Sequence, residues 1–195
     1  MSKLKESLVK YSSGAGCAVE ILLKGRQIQR VKLELSGPIA HIPSLKNSKL
    51  PGRNFINPDT LARLRVMDYV YKQGIIKTGL NVPVTFGKDE VALIVVCAKR
   101  KVSFDTDNCL ATVRDWLEPS TKPVGKAKSR GWGIGIVDND RQIRGLALYD
   151  KDIGLTLDKS IIVIQRFDKT RDRLTDFVHD VFFDISEEVE RWVVN

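Results

Sequence analysis

"EVALIVVCAKRKVSFDTDNCLATVRDWLEP", residues 90–119, decides how this chain folds. Its first nine residues form an unbroken apolar, β-branched run. A strand covered on both faces loses its polar alternation, so this run predicts a buried central strand. Leu110, Val113, Trp116 and Leu117 then recur at helical spacing, and Pro119 closes the helix. Asp105 and Asp107 sit at the junction, one residue apart. In extended backbone two such side chains share a face, where their charges repel and desolvation is costly without a cation. That cation is an arginine, a lysine or a metal. The simpler alternative is that Asp107 caps the helix and Asp105 lies in a surface turn.

Upstream, "CAVEILLKGRQIQRVKLELS" (17–36) reads as two β-rich runs around "KGRQ", a hairpin. A Pro-, Ser- and Gly-rich loop follows, carrying Lys46, Lys49 and Arg53. Asn57 before Pro58 opens a second helix, since Asn caps well and Pro suits the first helical position. Leu61, Leu64, Met67, Val70 and Tyr71 keep its apolar face as far as Gly74. Downstream, "PSTKPVGKAKSR" (119–130) is a loop with Lys122, Lys126, Lys128 and Arg130. "GWGIGIVDND" reads as a short strand with alternate glycines, and "RQIRGLALY" and "KSIIVIQRF" as two more. From Thr170 the chain predicts an amphipathic helix with an acidic outer face, packed against the core. The order of elements is α+β.

The 195 residues suffice for one domain with a core, and 43% hydrophobic with 29% charged residues is ordinary for a globular protein. No apolar run approaches the roughly 20 residues that span a bilayer, and the first 25 residues lack a signal-peptide core, so a cytoplasmic protein without membrane contact is expected. Cys17, Cys97 and Cys109 are odd in number and far apart, which fits a reducing compartment. His41 and His179 are too few for a histidine-based zinc site. Residues 1–149 carry 25 Lys and Arg against 13 Asp and Glu, whereas residues 150–195 carry 7 against 11. A basic body with an acidic tail suits steering toward a polyanion.

Asp138 and Asp140 form a second acidic point, read either as an Asx-type turn or as further ligands. If the two acidic points lie at neighbouring strand ends, three carboxylates converge. Hard oxygen donors select Mg2+ or Mn2+, and such a metal activates water for phosphodiester chemistry. "GWGIGIV" is not a nucleotide-binding loop, because no GK[ST] or helix follows it.

In this order "PSLKNSKLPGR" (43–53), "FDTDNCLATVRDWL" (104–117) and "GIGIVDNDRQI" (133–143) resemble the RusA family of Holliday junction resolvases. The resemblance covers residues 30–166, leaving 1–29 as an N-terminal extension with the start of a hairpin and 167–195 as a C-terminal amphipathic helix. It implies a small mixed β-sheet with packed helices. It also implies a homodimer that cuts four-way DNA junctions with Mg2+, or Mn2+ in its place, held by Asp105, Asp107 and Asp140. Aligning on Gln142 and Ile143 selects Asp140 and puts Asn139 where the family often has another acid; a shifted alignment selects Asp138. Asp115 becomes a supporting residue of the same helix.

One departure concerns Ala111, where family members commonly carry lysine. Arg114, one turn on, is the cation nearest to that role. The other is the long basic loop 119–130. Lys46, Lys49, Arg53, Arg114, Lys122, Lys126, Lys128 and Arg130 are the expected DNA contacts. The expected function is a crossover junction endodeoxyribonuclease acting by paired nicks. The rivals are a junction-binding protein that has lost cleavage and an unrelated metal-binding α+β protein.

Overall fold

β6 (Lys159–Arg166), the last of the described strands, lies in the middle of the sheet. The strand order is β1-β2-β3-β6-β4-β5, with β1 Glu6–Ser13, β2 Cys17–Lys24, β3 Gln27–Ser36, β4 Val91–Ala98 and β5 Ile143–Lys151. Every neighbouring pair is antiparallel except β4 and β5, which run parallel. Among the described residues two α-helices accompany the sheet, α1 (Pro58–Lys77) and α2 (Thr106–Leu117). This computed structural model describes residues 5–13, 16–43, 45, 56–80, 84–98, 106–120, 131–151, 159–168, 170, 172–173 and 176. The sheet is mixed and the fold is a small α+β one. No helix among the described residues is long and apolar enough to cross a membrane.

The patterns that predicted these elements have visible causes. β2 alternates buried and half-buried positions, as a strand with one covered face must. β4 and β6 are buried along most of their length, which explains their unbroken apolar runs. Parallel strands need a crossover, and α2 supplies it between β4 and β5. Asn57 caps α1, its side chain accepting from the Asp59 N–H at 2.9 Å. The helix continues to Lys77, one turn beyond its expected end at Gly74. At Gly74 an added Cβ would come within 3.1 Å of Val19 and 3.3 Å of Tyr11, so glycine here lets the helix lie close on β1 and β2.

Leu64, Met67 and Tyr71 of α1 meet Val113, Trp116 and Leu117 of α2 over Val19, Ile21, Leu33, Leu93 and Ile162 of the sheet. The Tyr71 and Trp116 rings pack edge to face at 6.2 Å between centroids. Both helices therefore share one core, and truncating a buried tryptophan such as Trp116 costs about 3–5 kcal/mol.

"GWGIGIVDND" is not the strand its alternation suggested. Gly131, Gly133 and Gly135 all have positive φ, which breaks an extended ladder. Only an isolated bridge between Pro119 and Ile134 forms there. The segment instead wraps the end of α2. Ile134 N–H donates to Trp116 O (2.9 Å), Val137 N–H to Leu117 O (3.2 Å) and Gly135 N–H to Glu118 O (3.3 Å). These bonds satisfy carbonyls that a helix end leaves open.

Candidate functional site

α2 carries the second of the two predicted carboxylates in its first turn, Asp107. Arg114 follows seven residues later, almost two full turns on. It therefore lies on nearly the same helix face, about 10 Å further along the axis. Asp140 reaches that face from the far side of the wrapping segment. Its Oδ2 accepts from Arg114 Nη2 at 3.2 Å. Asp138 is exposed, and its side chain makes no hydrogen bond among the described residues. Of the two candidates for the third ligand, Asp140 alone is tied to α2.

Asp140 is held by backbone as well as side chain. Glu118, buried just beyond α2, accepts the Asp140 N–H at 3.0 Å. Asn139 caps a single 3-10 turn over Asp140–Gln142 in a reciprocal capping box with Gln142. The Gln142 amide also donates to the carbonyls of Gly87 (2.6 Å) and Asp89 (2.8 Å), fixing the turn to the segment before β4. The Asx-type turn read from this acidic point is present, with Asn139 as the capping residue.

Against Trp116 and the glycine segment lies Asp68 of α1, a buried carboxylate that the sequence gave no reason to single out. It accepts from Trp116 Nε1 at 2.5 Å and from the Gly133 N–H at 2.8 Å, with Lys72 Nζ 3.9 Å away. Burial pushes its carboxyl above the usual range, and the two hydrogen bonds and Lys72 only partly offset this. Asp68 thus joins α1, α2 and the glycine segment at one point. Gly133 makes this approach workable, since an added Cβ would lie 2.4 Å from Glu118 O.

Two basic segments of the sequence begin beside α2. The Leu45 N–H donates to Thr112 Oγ1 at 3.0 Å and Cys109 Sγ donates to Ile42 O at 3.5 Å, so the chain entering the first loop is fastened to the helix. The second loop leaves at Ser120 and returns at Gly131, with Pro119 and Ile134 bridged across its base. Lys46, Lys49, Arg53, Lys122, Lys126, Lys128 and Arg130 themselves lie outside the described residues, as do Asp105, His179 and nearly all of the C-terminal segment. Ala111 is exposed on α2 and Asp115 partly buried.

Among the described residues no three His, Cys, Asp or Glu side chains gather as a metal site. Asp140 is 40% exposed, with one carboxylate oxygen on Arg114, and the other makes no hydrogen bond among the described residues. Arg114 has a buried Nε with no hydrogen-bond partner among the described residues. No protein-family model matches the chain, and no curated protein matches it.

Proposed function

We propose that this protein is a Mg2+-dependent endonuclease of the RusA kind, cutting branched DNA and above all four-way junctions as a homodimer. The observation that carries the reading is the Arg114–Asp140 contact, which brings the second acidic point onto the α2 face that begins at Asp107. On this reading the two acidic points, 33 residues apart in sequence, contribute to one site. Leu45 and Ser120, where the two basic stretches of the sequence begin, both lie beside α2, in a chain of net charge +8.

Asp105, Asp107 and Asp140 would hold the metal, with Mn2+ as an alternative to Mg2+. Bound there, such a cation would supply a lowered pKa for a water and neutralisation of charge developing on the phosphate. The remaining work falls to the chain. Arg114 keeps donors beyond the Nη2 used on Asp140, and these orient a phosphate oxygen. Glu118 and the Asn139–Gln142 box fix the backbone that presents Asp140. The lysines and arginines of the two loops bind phosphates along the junction arms. Two-fold symmetry gives two sites for paired nicks.

The test is a labelled synthetic junction beside a matched linear duplex, with Mg2+ or EDTA, and with Asp107→Asn. Paired nicks in the junction alone, absent with EDTA and with the variant, support the reading. Junction binding without any product under Mg2+ or Mn2+ sinks it in favour of a non-cleaving binder. One observation favours that second reading: position 111 offers no cation, and Arg114 already spends a donor on Asp140.

A further inference from the structure

We propose that the outer edge of β1 is a self-complementary interface, on which two copies of the chain pair β1 to β1, antiparallel, about a two-fold axis at Leu8. β1 ends the sheet, so one side of its backbone meets no strand among the described residues. The Gly25 N–H donates to Lys5 O at 3.1 Å, which fixes the groups that face inward. Hydrogen bonding alternates along an antiparallel strand, so Ser7, Val9 and Tyr11 face β2. The N–H and C=O groups of Glu6, Leu8, Lys10 and Ser12 therefore point outward. An eight-residue edge paired without a bulge is a template for another strand.

Side chains select the occupant. Val9 packs on the core and Tyr11 lies against Gly74 of α1, so these positions face the helices. Glu6, Leu8 and Lys10 share the opposite face, where Leu8 is 48% exposed. Pairing about Leu8 sets that leucine against its own copy, and Glu6 against Lys10 of the second copy on either side. The same rows continue into β2, where Leu22 lies beside Leu8 and Lys24 beside Glu6. Glu20 lies beside Lys10 and binds it at 2.8 Å. Across the axis the charges then alternate, from Lys24 through Glu6 to Lys10 and Glu20 of the second copy. The Lys10 ammonium has enough N–H donors for both carboxylates. Opposite charges facing each other across a strand pair stabilise it, and like charges weaken it. A register centred on Glu6 or on Lys10 would set that residue against its own charge.

Charge also argues against the other exposed apolar row, Val66, Tyr69 and Ile76 of α1. Arg63, Arg65, Lys72 and Lys77 are exposed around it, so a two-fold contact there brings like charges together. The β1 interface gives a surface to the homodimer of the proposed function. It lies in residues 1–29, outside the resemblance, and needs no nuclease chemistry, so cleavage and association fail separately.

Sedimentation equilibrium of the full chain tests the pairing. One strand edge makes a small interface, so a reversible dimer with a Kd of about 1–100 μM is expected. Glu6→Lys and Lys10→Glu should each weaken it about tenfold or more. An equimolar mixture of the two variants should dimerise again, because every facing pair then has opposite charges. Leu8→Pro removes an outward N–H that β2 does not use, so the dimer should be lost while the circular dichroism of the fold is kept. A wild-type monomer at about 1 mM, a dimer indifferent to the charge reversals, or two variants that stay apart when mixed would overturn the proposal.

Discussion

Arg114 Nη2 lies 3.2 Å from Asp140 Oδ2, joining α2 to the turn that precedes β5. Both side chains are more than a third exposed (38% and 40%), so solvent screens the pair and its contribution to stability is about 0–1 kcal/mol. Arg114→Gln is therefore expected to change the denaturation free energy by no more than about 1 kcal/mol. Junction cleavage by the same variant should fall by about tenfold or more, as lost charge-assisted contacts do. Cleavage at the wild-type rate would remove Arg114 from the proposed site.

Asp68 should behave in the opposite way, acting on stability first. Asp68→Asn turns one of two acceptor oxygens into a donor facing Trp116 Nε1–H or the Gly133 N–H. A loss of about 1–3 kcal/mol is expected in urea denaturation. Asp68 also shapes the pH profile. Its folded carboxyl titrates above the ordinary 3.8, chiefly through burial, so the folded chain binds that proton more tightly. Its contribution is full below the unfolded pKa and is lost as pH rises through the raised folded value. Subtracting the Asp68→Asn profile from the wild-type one should isolate this fall, and a flat difference would contradict it.

The glycines of the wrapping segment are not equivalent. Gly133→Ala meets Glu118 O at 2.4 Å at a φ of +125°, so a loss above about 3 kcal/mol is expected, enough to unfold a marginal chain. Gly135→Ala finds nothing closer than 3.8 Å at φ +69°, and should cost only about 1–2 kcal/mol. Thermal melts of the two variants side by side check the ranking.

Cys17 should be silent toward alkylation until the chain unfolds. Burial, and secondarily Glu34, pushes its thiol up to about 11. At pH 8 only about one molecule in a thousand then carries the thiolate that reacts. Iodoacetamide labelling mapped by mass spectrometry should show Cys17 modified in denaturant and spared without it.

If the loops leaving α2 track DNA, replacing Lys126 or Lys128 with alanine should weaken junction binding at all sequences. Each lost phosphate contact should reduce the slope of log K against log salt by about 1. An unchanged slope would make the second loop a solvated insertion.

Much of the fold was readable because its causes are local. The unbroken run of β4, the Asn57–Pro58 opening of α1 and the periodicity of Leu110, Val113 and Trp116 each express burial or capping within a few residues. The glycine segment misled because alternate glycines look the same in a strand and in a chain of positive-φ turns. Only the carbonyls of Trp116, Leu117 and Glu118 distinguish the two. Asp68 and Glu118 were invisible for a related reason. Their partners lie 65 and 22 residues away, at Gly133 and Asp140, and no spacing rule reports such a distance. Asp107, Arg114 and Asp140 were legible as residues, and the contact between the last two only as geometry.

The central place of β6 sets the order in which the protein can be assembled on a ribosome. β1, β2 and β3 can pair as they emerge, and β4 can join β5 once α2 has crossed over. Neither half has its inner edge satisfied until Lys159–Arg166 arrives between Arg30–Ser36 and Val91–Cys97. Until then a nascent chain carries two open strand edges, each able to pair with a neighbouring chain. Ribosomal pausing before residue 166 should therefore favour aggregation, and release after it should let both halves close together in one late step.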